Sequence, residues 1–426
     1  MIPRKPYSPR HHIMIRLAFI LALAVLIGLT VFIFRNYPLI WQANRLFRIT
    51  LMSLHLLGTL ALAAIFTCYP RISWEPVKWA ISRMATFYYV VTMMLAIWFG
   101  IRMLIRTGIA LHLQSQGMVL PPEPRIWPLR RGTHAAMFLI LAFAQAAAGM
   151  IRIGQLETTS YEIKIKKPAP FRELNMTLIA DIHAGAGTWK QTYPKLAEEI
   201  RKTRPDILLI GGDVFDETTG PEDVEYVRSV LTEIRPKYGT VFVYGNHDTA
   251  LNDWSGQQMR SMGVTVLEDE ILRLGPDGIL RGNEEGPGNA GASDHPAPNT
   301  SAGSFHPGVP CVQLVGRLDP KLSPLAPQVL MEHLHADKSL PLLILQHRPV
   351  EMKAHSLLGC DLVMAGHTHG FNIPQFLGVG LWSDMYFGKK KYGSMTAVVT
   401  SGVSAWGFHY KWPAKSEVVS IRLHFH

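Results

Sequence analysis

Leu362–Gly370 reads LVMAGHTHG: four apolar residues, then two histidines one residue apart between glycines. A short continuous apolar run fits a strand buried on both faces. Nothing in a buried strand explains why imidazoles follow at once. A lone His-x-His pair decides little, but the same junction recurs four times. MTLIA runs into Asp181-Ile182-His183, and ILLI into Gly211-Gly212-Asp213-Val214-Phe215-Asp216. TVFVY runs into Gly245-Asn246-His247-Asp248, and LLIL into Gln346-His347. In an open α/β sheet the C-terminal strand ends converge on one rim, where ligands bind. Five clusters distant in sequence can therefore meet in one pocket.

The side chains of the set share a chemistry. Carboxylate, imidazole and amide oxygen are the mixed donors that suit Mn, Fe or Zn. Glycines beside them let backbone and phosphate approach closely. The set holds more donors than one ion needs, which predicts a pair of divalent ions. Any one cluster alone reads equally well as a turn before a capped helix. Five of them, each at a strand exit, carry the expectation.

Working outward, the runs VTVL, VQLV and AVVT complete a series of apolar strands. Helical patterns, YPKLAEEIRKT and PEDVEYVRSVLTEIR, separate some of them. Pro221 and early acids mark the start of the second helix. The alternation predicts an α/β domain over residues 171–426, with sheets covered by helices. YEIKIKKPAPFRE reads as a basic connector ahead of it. Residues 275–310 are dense in Gly, Pro, Asn and Ser and read as a disordered insertion holding His295 and His306.

Residues 1–155 read differently. Four apolar stretches, at about 17–34, 49–69, 84–101 and 135–151, each match the length of a membrane-crossing helix. Arginines and aromatic residues flank them, as suits the headgroup zone. The expectation is an all-α four-helix transmembrane module, with His55 bonded to a neighbouring helix. Basic residues near the helix ends number twelve on the side shared by the N-terminus and the C-terminal domain, against eight on the other. That count places the C-terminal domain in the cytoplasm, on an integral protein of the cell membrane.

Charge follows the same division. Residues 1–170 carry 19 Lys and Arg against 4 Asp and Glu, and residues 171–426 carry 23 against 28. The basic pI belongs to the membrane module, and an acidic C-terminal domain argues against nucleic acid as a partner. Cys68, Cys311 and Cys360 have neither zinc nor disulfide spacing and read as free thiols.

Taken in order, D-x-H, G-D-x-x-D, G-N-H-D, a lone His after an apolar strand, and G-H-T-H resemble the calcineurin-like binuclear metallophosphoesterases. The segments TRPDILLIGGDVFD and TVFVYGNHD lie especially near that pattern, although Ala180 stands where serine is common. A multi-pass anchor ahead of such a domain resembles the transmembrane members. The resemblance implies a two-sheet β-sandwich flanked by helices, a four-layer α/β/β/α arrangement. It implies one ion held by Asp181, His183 and His369, another by Asn246, His347 and His367, and Asp213 bridging them. His247, not a ligand, would aid the leaving oxygen as an acid, oriented by Asp216 or, in competition, Asp248. The implied reaction is hydrolysis of a phosphomonoester, phosphodiester or pyrophosphate by hydroxide activated between two metals. With a bilayer as partner, a lipid-linked substrate is one class that fits. The alternatives are a non-catalytic metal-binding scaffold and a membrane sensor that cleaves a cyclic nucleotide.

Overall fold

The computed structural model describes residues 28, 45–72, 74–119, 131–250, 253–282, 303–305, 310–320, 322–323, 325–370 and 383–426. The chain separates into two compact units, one holding Arg152–His426 and the other holding Trp74–Ile151 and the helix ahead of it.

The N-terminal unit contains helices α1 (Arg45–Thr67), α2 (Glu75–Ser115) and α3 (Arg131–Arg152). They contain the stretches expected at 49–69, 84–101 and 135–151. The stretch at 17–34 lies outside the described residues except for Gly28, so a four-helix module is not established. Among the described residues, α2 alone has the length and apolar content to cross a membrane, and α1 and α3 carry shorter apolar segments. Large apolar side chains stand exposed on all three, among them Met52, Leu60, Leu104, Ile140 and Phe143. His55 Nδ1 lies 2.9 Å from the Tyr88 hydroxyl, which also accepts from Thr59 Oγ1 at 3.1 Å, so α1 and α2 are tied by a polar triplet. Gly58 permits the approach, since a Cβ there would fall 2.7 Å from Tyr88 Cβ.

The second unit is α/β with two mixed sheets. Its elements are β1 (Leu156–Ile165), β2 (Glu173–Ile179), α4 (Thr192–Thr203), β3 (Ile207–Ile210), α5 (Pro221–Glu233), β4 (Thr240–Phe242), α6 (Asn246–Ala250), α7 (Trp254–Ser261), β5 (Thr265–Val266), β6 (Glu270–Leu274), β7 (Ile279–Gly282), β8 (Gly303–Phe305), β9 (Val312–Gly316), α8 (Pro327–His333), β10 (Leu342–Leu345), α9 (Met352–Leu357), β11 (Leu362–Ala365), β12 (Gly388–Tyr392), β13 (Met395–Val399) and β14 (Ser416–Phe425). One sheet runs β1-β14-β2-β3-β4-β5, and the other β12-β13-β11-β10-β9-β6-β7-β8.

The strands that matter for the site are parallel within each sheet. They are β2, β3 and β4 in the first sheet, and β10, β11 and β13 in the second. Their short apolar runs are fully buried because both faces are covered. Met176, Leu178, Leu209, Leu343, Met364 and Val398 fill the space between the sheets. Tyr193, Leu196, Ile200, Val227 and Leu231 pack α4 and α5 on the outer face of the first sheet. Leu330, Met331 and Met352 pack α8 and α9 on the second. The layers are therefore α/β/β/α. Asp223 ties the start of α5 by accepting from Gly220 N at 2.9 Å.

Two expectations change here. Tyr161–Ile165, read as the start of a connector, lies in β1, which pairs in parallel with β14 from Leu156↔Ser416 to Ile165↔Phe425. The sheet therefore begins well before residue 171. Alternating polar residues on a strand at the sheet edge gave no apolar run to read. The insertion at 275–310 also contributes strands: β7 pairs with β6 through Leu274↔Ile279, and β8 with β7. The rest of it, with His295 and His306, and the segment 371–382 lie outside the described residues.

The packing sets a test. Leu343→Ala, between the sheets, should destabilise the α/β unit by about 2–5 kcal/mol. Leu357→Ala, on an α9 side chain that is 87 % exposed, should change it by less than about 0.5 kcal/mol. Urea midpoints followed by near-UV circular dichroism compare the two.

Candidate metal centre

Each expected cluster begins where a strand stops, and the backbone bends sharply to turn its donors inward. Asp181, His183, Asp213, His367 and His369 all adopt left-handed φ values, between 46° and 73°. This region is unfavourable for non-glycine residues, by about 1–2 kcal/mol each. Surrounding bonds hold them there. Asp181 N donates to Gly212 O at 3.0 Å, and His183 N to Asp213 O at 3.1 Å. His367 N donates to the Asp181 carboxylate at 3.0 Å. The buried Asp248 carboxylate accepts from Asp213 N at 2.6 Å, Phe215 N at 3.1 Å and Gly245 N at 3.0 Å, locking the β3 and β4 exits together.

The side chains gather into two groups. In one, donor atoms of Asp181, His183 and His369 lie within 4.8 Å of one another, and in the other so do those of Asp213, His347 and His367. Each group draws on both sheets. Asp213 stands between them: its Oδ2 is 3.1 Å from His347 Nε2 and 3.8 Å from His183 Nε2. Asn246 Oδ1 and His367 Nδ1 lie 3.2 and 3.0 Å from the same His347 Nε2. Behind the ring, His347 Nδ1 donates to Gly211 O at 2.8 Å, which turns Nε2 toward Asp213; burial would lower this imidazole, but the Asp213 carboxylate outweighs it and pushes it up to about 9.

The donors fit divalent cations. His183 Nε2 is buried with no hydrogen-bond partner among the described residues. Burial, and then the neighbouring imidazoles His347 and His183 respectively, hold His367 and His369 well below the ordinary histidine range, hence neutral and able to ligate. Burial raises the Asp213 carboxyl, but His347 and His247 outweigh it and hold it well below its ordinary value. Buried imidazoles and carboxylates with donor atoms 3–4 Å apart form a cation site by chemistry as well as by shape.

The scan of sequence families agrees with this geometry: a model described as calcineurin-like phosphoesterase matches residues 174–371. Residues 174–371 are thus similar to the calcineurin-like phosphoesterases. It is 28 % identical over 289 residues to an uncharacterised metallophosphoesterase of Helicobacter pylori, covering 65 % of each chain. It is 26 % identical over 315 residues to the transmembrane protein with metallophosphoesterase domain of Danio rerio, covering 68 % of this chain and 62 % of that one. It is 27 % identical over 173 residues to phosphodiesterase YaeI of Escherichia coli, covering 39 % and 50 %. The chain thus spans about 65 % of the length of the curated relatives first matched.

Within the α/β unit, one expected role moves. Asp216 does not face His247. Its Oδ1 accepts from Thr218 N at 2.7 Å and Thr218 Oγ1 at 2.6 Å, and its Oδ2 lies 3.3 Å from His183 Nδ1. The carboxylate is thereby turned to the back of a donor imidazole. Asp248, the competing residue, is committed to backbone N–H groups. The neighbour of His247 is Glu217, with both carboxylate oxygens 3.3 Å from Nδ1. Burial would lower His247, yet Glu217 and Asp213 outweigh it and push the imidazole up to about 10. Burial would raise Glu217, and His247 outweighs it, bringing the carboxyl to about 2.

The sequence reading also missed a sixth strand exit. After β13, Val403 N donates to Ala180 O and Ser404 N to Asp181 O, both at 2.9 Å. Ser404 O lies 3.3 Å from His369 Nδ1. Buried Lys411 donates to Ser401 O and Gly402 O at 2.5 Å each. Burial brings this lysine down to about 7 despite Asp181 and Glu417. His409 lies with Nδ1 3.1 Å from Gly187 O. AVVT followed by SG repeats the strand-to-glycine junction, but without Asp or His it gave no chemical signal.

Gly245 illustrates how closely the backbone nests on the donors, since a Cβ there would fall 2.6 Å from Asp213 Cγ. Gly245→Ala should therefore displace this carboxylate. Metal analysis of the purified variant should find at least one ion fewer than in wild type, with unchanged far-UV circular dichroism.

Proposed function

We propose that this chain is a membrane-bound phosphoesterase that hydrolyses phosphate esters at a two-metal centre. The observation that carries the reading is the Asp213 carboxylate facing a donor of each group, His347 and His183, with His247 alongside. Asp181, His183 and His369 would hold one ion. Asn246, His347 and His367 would hold the other, and the Asp213 carboxylate would serve both. When bound, two such ions supply an acidified water and neutralise phosphoryl oxygens, and manganese, iron or zinc all suit these donors.

The chain's own residues then do the following. His247 N donates to Asp213 Oδ1 at 2.8 Å, which fixes the start of α6 beside the bridging carboxylate. The His247 ring can give a proton from Nε2 to the departing oxygen. General acid help of this kind contributes roughly 10²–10⁴-fold. Asp216 Oδ2 lies 3.3 Å from His183 Nδ1, the ring nitrogen other than the one near Asp213.

For the membrane part, we assign residues 1–155 to a membrane module and the remainder, from β1 onward, to the catalytic domain. Exposed apolar side chains on α1, α2 and α3 support immersion in lipid. The domain is read as cytoplasmic from the distribution of basic residues. A lipid-linked phosphoester follows as the substrate class. The name of the E. coli relative favours a diester over a monoester.

Full-length protein in detergent, stripped with a chelator, should lose hydrolysis of bis-p-nitrophenyl phosphate and regain it with Mn²⁺. His247→Ala should lower kcat by roughly 10²–10⁴-fold with both ions retained. Loss of metal from that variant would instead make His247 a ligand. A panel of membrane phospholipids and soluble diesters, including cyclic nucleotides, then identifies the substrate.

A further inference from the structure

His247 is gripped from three sides by loops of different origin. Glu217, from the loop after β3, presents both carboxylate oxygens to Nδ1 at 3.3 Å. Trp406, from the loop after β13, stacks on the imidazole with ring centroids 5.1 Å apart and planes 29° apart. The edge of His183 meets the ring from another direction, at 5.1 Å and 79°. Trp406 Nε1 also donates to Glu217 Oε2 at 3.2 Å. The carboxylate is thus held by indole and imidazole together, and the three side chains close a cycle.

Nothing in the motif strings marks Glu217 or Trp406. Glu217 stands one residue past the acid of G-D-x-x-D, and Trp406 lies beyond the last motif block. Both are secured by their own loops. Asp216 anchors the turn before Glu217, and the Val403 and Ser404 N–H bonds to Ala180 and Asp181 anchor the strand exit that carries Trp406.

We propose that Glu217 and Trp406 are positioning residues, a two-sided clamp that fixes the tautomer and ring plane of His247 so that Nε2 faces the leaving oxygen. This deepens the hydrolase reading above and rests on it. A carboxylate at Nδ1 fixes which nitrogen carries the reactive proton, as an orienting acid does for the imidazole of a hydrolytic triad. An indole face stacked on the imidazole restricts rotation of the ring. A side chain clamped in this way is already in place when the ester bond breaks. In that step the P–O bond to the leaving group cleaves, the electron pair stays on the leaving oxygen, and the proton from Nε2 neutralises it. Glu217 keeps its charge throughout.

The clamp acts only through His247, and that decides the experiment. Full-length, Mn²⁺-loaded protein is assayed on aryl phosphodiesters from p-nitrophenyl to phenyl leaving groups. Glu217→Ala should lower kcat on the phenyl ester by roughly 10²-fold and on the p-nitrophenyl ester by less than about tenfold, because a good leaving group needs little protonation. KM and metal stoichiometry should stay within about twofold of wild type. Glu217→Gln, which keeps an acceptor at Nδ1, should recover part of the loss. Trp406→Phe, which keeps the stack, should lose less than Trp406→Ala. In a His247→Ala background neither Glu217→Ala nor Trp406→Ala should lower kcat further. Losses that multiply with His247→Ala, that are equal for both leaving groups, or that accompany lost metal would overturn the clamp while leaving the hydrolase reading intact. Wild-type protein that holds two ions yet cleaves no ester would overturn both. Should Glu217→Ala fail to fold, the Gln and Phe variants decide by the same leaving-group comparison.

Discussion

One carboxylate organises this domain. Asp213 receives the His247 backbone N–H on one oxygen and faces His347 and His183 with the other, while its own N–H is held by Asp248. Three loops thus reach a single residue on a fourth. A buried anion in this setting is costly unless cations surround it. The crowd of imidazoles and the ions they can carry supply that compensation, so the charge balance of the interior and the chemistry of the site share a cause.

The backbone shows what this arrangement costs. Five donor-bearing residues occupy left-handed φ values that β-sheet geometry alone would not produce. Each extended strand ends in an abrupt bend that points a side chain inward instead of along the strand. Glycines at 245 and 366 let neighbouring loops lie on top of these bends: a Cβ at Gly366 would reach to 2.6 Å from Asp181 Oδ2. Such strain persists because networks of buried hydrogen bonds over-determine it. The Asp248 carboxylate, tied to three strand-exit amides, is the clearest instance.

Much of this was legible in the sequence, for a physical reason. Strands covered on both faces must be apolar throughout, so ILLI, LLIL and LVMA announce themselves, and the donors come directly after them. β1 and β14 alternate or mix polar residues, and β12 is GKKKY, an edge strand whose lysines discourage pairing with another chain. None of these produces an apolar run. The candidate ligands were readable because each lies inside its own local motif. Glu217 and Trp406 were not, since their relation to His247 arises only when three loops fold together. Asp216 and Glu217 are adjacent in sequence, and the Thr218 hydrogen bonds turn Asp216 away while Glu217 faces His247. The N-terminal helices were legible by composition alone.

Each donor group takes members from both sheets: Asp181 and His183 with His369 in one, Asp213 with His347 and His367 in the other. An ion at either position bonds across the seam of the sandwich. Cation occupancy and cohesion of the two layers are therefore linked thermodynamically, since whatever binds only the closed form shifts the equilibrium toward it. Metal availability would then bear on how long the folded domain survives, apart from any chemistry at the site.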